Sequence, residues 1–190
     1  MHDILKPEEE SAILDKVLAG HREAFAGLVD AYKAPIFNLA FRMTGNLEDA
    51  SDLAQETFVR AFVNIKKYNR NKRFFTWLYT IGLNIIRNHF RQKAHSCRVE
   101  IQIIAEPAAS DPAGNPEAGL LEDEASRKLT SALKCLTQNQ REAVVLRFYQ
   151  DLSFHEMADL MGSSVSAVKM LTYRALERLR VALADENIKM

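Results

Sequence analysis

At 190 residues, with 47% apolar and 26% charged side chains, the chain has the composition of a globular protein of one ordinary domain or two small ones. No apolar run approaches the roughly 20 residues that cross a bilayer, and the acidic residues 1–10 carry no signal-peptide stretch. A cytoplasmic protein with no membrane insertion of its own is expected, and Cys97 and Cys135 are too few for a disulfide framework. The formal net charge of zero hides an asymmetry. Nine Lys/Arg and no acid lie between residues 66 and 99, whereas seven acids and no Lys/Arg lie between 99 and 124. That pattern points to a polyanion partner for one segment and a different task for the next.

Phe25, Leu28, Val29 and Tyr32 fall at helical spacing, and Pro35 is expected to kink that helix or open the next. Ile36, Leu39, Ala40 and Met43 carry the pattern to a break at Gly45-Asn46, where Asn46 followed by Asp49 gives an N-cap signal. Leu47, Ala50, Leu53, Ala54, Phe58, Ala61, Phe62 and Ile65 then share one helical face. A basic stretch from Lys66 to Arg73 reads as a loop, and Phe74, Trp77, Leu78, Ile81, Ile85 and Phe90 mark a helix over 74–92. The pattern collapses into an extended acidic Pro/Ala/Gly linker over residues 95–119. Beyond it Leu120, Leu121, Ala125, Leu129, Leu133 and Leu136 line one helix, and Val144, Val145 and Phe148 the next. Thr137 with Gln140 and Ser153 with Glu156 fit capping boxes. No window alternates as a strand does. The expected fold is all-α, with two small helical domains at 1–94 and 120–190.

From Phe154 to Arg180 the spacing is that of a helix-turn-helix: small Ala158, a turn at Gly162, then Val168 and Leu171 as the buried face of a second helix. That helix would present Lys169, Met170, Tyr173, Arg174 and Arg178 to a major groove, its start to base edges and its later arginines to phosphates. A helical hairpin with a solvated basic face is the plainer alternative. In the 74–92 helix, Thr76, Thr80, Asn84, Arg87, Asn88 and Arg91 form one polar stripe, with Lys72, Arg73, Phe74 and Phe75 at its start. Cations, amides and aromatics in that mixture suit exposed bases better than an intact duplex, with Trp77 assigned to the core. The preceding helix turns Glu48, Asp49, Asp52, Gln55, Glu56 and Val59 outward, a poor DNA surface but a plausible docking face for a basic protein.

The run Asp52-Leu53-Ala54-Gln55-Glu56-Thr57-Phe58, followed by Phe75-Thr76-Trp77-Leu78-Tyr79-Thr80-Ile81-Gly82-Leu83-Asn84 and Arg91, resembles the second conserved region of the extracytoplasmic-function (group 4) sigma factors of bacterial RNA polymerase. Leu136 to Arg180 resembles their fourth region. The resemblance implies that Asp49, Asp52, Gln55, Glu56 and Val59 dock on the clamp helices of the polymerase β′ subunit, with the β flap a further partner. It implies that Lys72, Arg73, Phe74, Phe75, Thr80, Asn84, Arg87, Asn88 and Arg91 capture the melted −10 element, with a flipped base near the loop before Phe74. The helix bearing Lys169, Met170, Tyr173, Arg174 and Arg178 would read the −35 element as duplex. An anti-sigma factor is the implied regulator. A linker of about 20 extended residues reaches about 70 Å, comparable to two turns of duplex at roughly 34–36 Å each. The loop Tyr68-Asn69-Arg70-Asn71-Lys72-Arg73 is more basic than the family's pattern, Thr137 stands where Pro is common, and Met170 where a small polar residue is usual. The captured −10 base and the −35 sequence therefore do not transfer.

The main rival is a free-standing regulator that binds operators through residues 154–180 and uses the first module to dimerise or sense. It leaves the basic stripe unexplained. His89, His95 and Cys97 lack the spacing of a metal site, and no phosphate loop or nucleophile constellation is present. No catalytic group, metal or cofactor is expected.

Overall fold

A computed structural model describes residues 5–103 and 124–188, and all regular structure among them is helical. Of these residues, 5–40 and 48–103 form one compact unit, and 41–47 with 124–188 form another. The stretch 104–123, with most of the expected acidic linker and the first residues of the expected second domain, lies outside the described residues.

The first unit contains α1 (Pro7–Leu18), α2 (Phe25–Thr44) up to residue 40, α3 (Leu47–Asn64) and α4 (Phe74–Ile103). Helix α1 escapes the apolar pattern, but its start is written locally. Pro7 opens the first turn without wasting an N–H, and Glu8, Glu9 and Glu10 face the positive end of the helix dipole. Pro35 lies inside α2, which runs through it and ends before Gly45, where φ is +67°. On α3 the face Ala50, Leu53, Ala54, Thr57, Phe58 and Ala61 is buried as the periodicity requires. Leu28, Tyr32, Ile36 and Leu39 of α2 and Phe74, Leu78, Tyr79, Leu83, Ile85 and Ile86 of α4 are likewise buried in this unit. Phe25 meets Phe62 edge-on at 5.1 Å, and Tyr32 packs on Phe74 and Phe75 at 5.7 and 5.9 Å. Each large side chain fully buried in this way contributes roughly 1.5–3 kcal/mol. Helix α4 continues to Ile103, into the stretch expected as linker from residue 95.

The second unit is built from α5 (Glu124–Lys134), α6 (Gln138–Val144), α7 (Phe154–Met161) and α8 (Val165–Ile188), with α8 packed on the other three. Its core joins Ala132, Leu133, Leu136, Val144, Ala175 and Leu179. Both expected capping boxes are present: Thr137 with Gln140 opens α6, and Ser153 with Glu156 opens α7. Phe148 departs from expectation. A π-helical turn over Val145–Tyr149 widens the helix after α6, which rotates Phe148 out to 57% exposure and leaves Leu146 fully buried.

Candidate nucleic-acid and polymerase interfaces

In the first unit the loop between α3 and α4 is held in shape by its own polar atoms. Tyr68 Oη donates to the Lys72 carbonyl, the Asn71 N–H to Asn69 Oδ1 at 2.9 Å, and the Lys72 N–H to the Asn69 carbonyl at 3.0 Å. Arg70 is tied by an ion pair to Asp15 of α1, whereas Lys72 and Arg73 stand exposed at the start of α4. Below the loop Tyr68, Phe74 and Trp77 form a triangle of rings with centroids 5.3–5.6 Å apart. Burial, and then the nearby Glu10 carboxylate, push the Tyr68 phenol above its ordinary value of 10.0.

Phe74 and Phe75, expected to face bases, are core residues at 0% and 8% exposure, locked by Tyr32 and Tyr79. This corrects the sequence reading, as does Trp77, which was assigned to the core and is only half-buried, as is Tyr68. The missed signal is angular. At about 100° per residue Trp77 lies beside Asn84 and Asn88 rather than among Phe74, Leu78 and Ile85. The aromatic surface near the cationic loop is therefore Tyr68 and Trp77.

The polar stripe of α4 is at the surface. Asn84 and Arg91 are exposed, and Thr76, Thr80, Arg87 and Asn88 are half-buried. Arg87 Nη1 donates to Asn84 Oδ1 at 3.2 Å, and the Thr80 hydroxyl turns back to the Thr76 carbonyl at 2.7 Å.

On α3, Asp52, Gln55 and Val59 are exposed, and Glu56 is half-buried in an ion pair with Arg60. Val63, one turn beyond Val59, extends the apolar edge of this face at 72% exposure and was not anticipated. Asp49 differs from its neighbours. Its Oδ2 lies 3.5 Å from Lys93 Nζ and 3.6 Å from His89 Nε2, so α4 already engages it.

In the second unit Gly162 ends α7 at φ +60°, its N–H reaching back to the α7 carbonyls, and α8 begins three residues later. Ser164 caps α8, its Oγ accepting from the Ala167 N–H at 3.2 Å. The buried face of α8 is Val168, Thr172, Ala175 and Leu179, with Leu171 half-buried. Lys169, Met170, Tyr173 and Arg174 are exposed as expected, together with Ser163, Ser164, Ser166 and Ala167 ahead of them. Arg178 is exposed too, but its Nη1 donates to Gln140 Oε1 at 3.2 Å. The oxygen it meets already accepts from the Thr137 N–H and hydroxyl, so Arg178 is committed to joining α8 to the cap of α6.

Among the described residues no group of His, Cys, Asp and Glu could hold a metal ion, and no helix is long and apolar enough to cross a membrane. The model of Sigma-70 region 2 matches residues 28–96, and that of Sigma-70, region 4 matches residues 132–181. The ECF RNA polymerase sigma factor SigW of Bacillus subtilis is 32% identical over 178 residues, covering 90% of this chain and 95% of SigW. RNA polymerase sigma-H factor of Pseudomonas aeruginosa is 28% identical, covering 95% and 96%. Among solved structures CnrH, in complex with the cytosolic domain of CnrY, shares the fold with a TM-score of 0.69 at 24% identity, covering 93% of this chain and 98% of that one. With two family regions in order and relatives matched along nearly their whole length, the chain belongs to the ECF RNA polymerase sigma factors.

Proposed function

We propose that the chain binds core RNA polymerase in the cytoplasm and directs it to promoters, taking the melted −10 element on residues 1–94 and the duplex −35 element on residues 120–190. One observation carries the division: the two units offer different chemistries. The α4 surface combines Lys72 and Arg73 with the half-exposed rings of Tyr68 and Trp77 and the amides of Asn84 and Asn88, which suits unstacked bases. The α8 surface is a convex helix behind a left-handed turn, with Lys169 and Arg174 exposed, which suits a groove. The acidic and apolar edge of α3 (Asp52, Gln55, Glu56, Val59) is the surface for the β′ clamp helices, with the β flap contacted elsewhere. Initiation by the polymerase, rather than a reaction of its own, is the output.

An anti-sigma factor fits the same reading as the means of holding the chain inactive. Relatives of this fold have been solved with such partners, among them the Bartonella quintana sigma factor RpoE with NepR. The test is open-complex formation. Purified chain and core polymerase together yield a heparin-resistant complex on a cognate promoter, and neither does alone. Tight specific DNA binding by the chain without polymerase would instead support a free-standing regulator.

A further inference from the structure

Helix α8 is regular from Val165 onward, so the direction of each side chain follows from about 100° per residue. Val168, Thr172, Ala175 and Leu179 define the buried side. Met170 lies within about 10° of the point diametrically opposite, and Ser166 and Tyr173 lie about 30° and 50° from that point on one side. Met170 is 54% exposed and Tyr173 is 63% exposed. Of the two cations only Lys169 falls at the margin. Lys169 stands about 90° to one side and Arg174 about 50° to the other. A second observation agrees for Lys169, whose Nζ rests 5.7 Å from the centre of the Phe154 ring on α7 and so leans away from the middle of the face. The line opposite the core thus carries the Met170 thioether and, two turns on, the Glu177 carboxylate, with Tyr173 and Arg174 about 50° to either side.

Resting on the −35 assignment above, we propose that Met170 is the specificity-determining residue of this helix and reads the 5-methyl group of a thymine. The major-groove edge of a guanine offers two acceptors that call for Arg or Lys, and Met170, at the point that faces the groove most directly, has no donor to offer them. A thymine offers an apolar methyl, and the flexible, polarizable Met side chain packs against such a group without leaving a polar atom unpaired. Lys169 and Arg174, on opposite sides of Met170, reach toward the phosphates of the groove walls and hold the helix in register, which leaves the choice of base at the centre to Met170.

The experiment uses the full chain with core polymerase. Promoters randomised over the −35 element are selected for initiation. The preferred element is then scanned by replacing each thymine in turn with deoxyuridine, which removes only the methyl. One position is expected to lose about fourfold in binding, the worth of one buried methyl-sized group, and Met170→Ala should abolish that loss while leaving thermal stability unchanged. Met170→Arg should move the preference at that position from T to G. If no thymine responds, or if the response persists in Met170→Ala, the proposal fails. If no −35 sequence is enriched at all, the −35 assignment fails first and takes this one with it.

Discussion

Arg178 Nη1 donates to Gln140 Oε1 at 3.2 Å, and Gln140 is 7% exposed at the capped start of α6. A cation on α8 is thereby spent on the fold. Arg178→Ala should lower stability by about 1 kcal/mol, the usual worth of such a bond, and leave the salt dependence of promoter binding unchanged. Arg174→Ala should do the reverse. It weakens −35-dependent transcription, lowers the slope of log K against log salt by about 1, and leaves polymerase association intact. Thermal melts and salt titrations of the two variants check the assignment, and equal salt slopes would undo it.

Charge on α3 should divide in the same manner. Reversing Asp52 and Glu56 together is expected to weaken core polymerase binding by about tenfold, or about 1.4 kcal/mol. Asp49→Asn should act on the fold instead, because Lys93 and His89 of α4 both approach its carboxylate. That loss should stay below about 1 kcal/mol, since Lys93 is largely solvated. Affinity measured by fluorescence anisotropy, set beside a melt, separates the two effects. Unchanged affinity in the double reversal would remove the docking claim.

Two glycines should respond to alanine with opposite signs. Gly82 is in the interior of α4, and a Cβ there would meet Thr57 and Leu39 at 3.5–3.6 Å, ordinary contact distances. Gly82→Ala should therefore stabilise by about 0.5–1 kcal/mol through reduced unfolded-chain entropy. Gly162 has open space around it but sits at φ +60°, so Gly162→Ala should cost about 1–2 kcal/mol. Denaturant midpoints of the two variants on opposite sides of the parent would bear this out.

What could be seen in the residues alone was whatever depends on short range. Apolar periodicity marked the face of α3 and part of that of α4, where Phe74, Leu78 and Ile85 are buried but Trp77, Ile81 and Phe90 are half-buried, and local pairs gave both capping boxes and the Gly162 turn. Three of the failures share a cause, since each needed knowledge of a neighbour distant in sequence. Phe74 and Phe75 precede a polar stripe and so looked available, but Tyr32 of α2 closes over them. Asp49 looks like Asp52 until α4 brings Lys93 to it. Arg178 looks like Arg174 until Gln140, 38 positions away, claims it. Phe148 failed differently, because a π turn shifts the register that a fixed helical period assumes.

Tyr68 should carry the base-holding role that Phe74 cannot. Its ring is half-buried against Trp77 and Phe74, and its hydroxyl closes the loop on the Lys72 carbonyl. Tyr68→Ala removes a stacking surface worth about 1–3 kcal/mol per base. Open-complex formation on a duplex promoter should fall by about tenfold or more, and initiation from a pre-melted template should fall less. Equal losses on both templates would mean that the ring only supports the fold. The phenol gives an independent handle. Burial and Glu10 raise its folded value above 10.0, so the neutral form is favoured in the native state. Its contribution is complete below the unfolded value and disappears as pH rises through the raised folded one. The parent protein should consequently lose stability above pH 10.0 more steeply than Tyr68→Phe, which has no proton to release there. Matching alkaline melts for the two would show that the hydroxyl is solvated and the loop is not held through it.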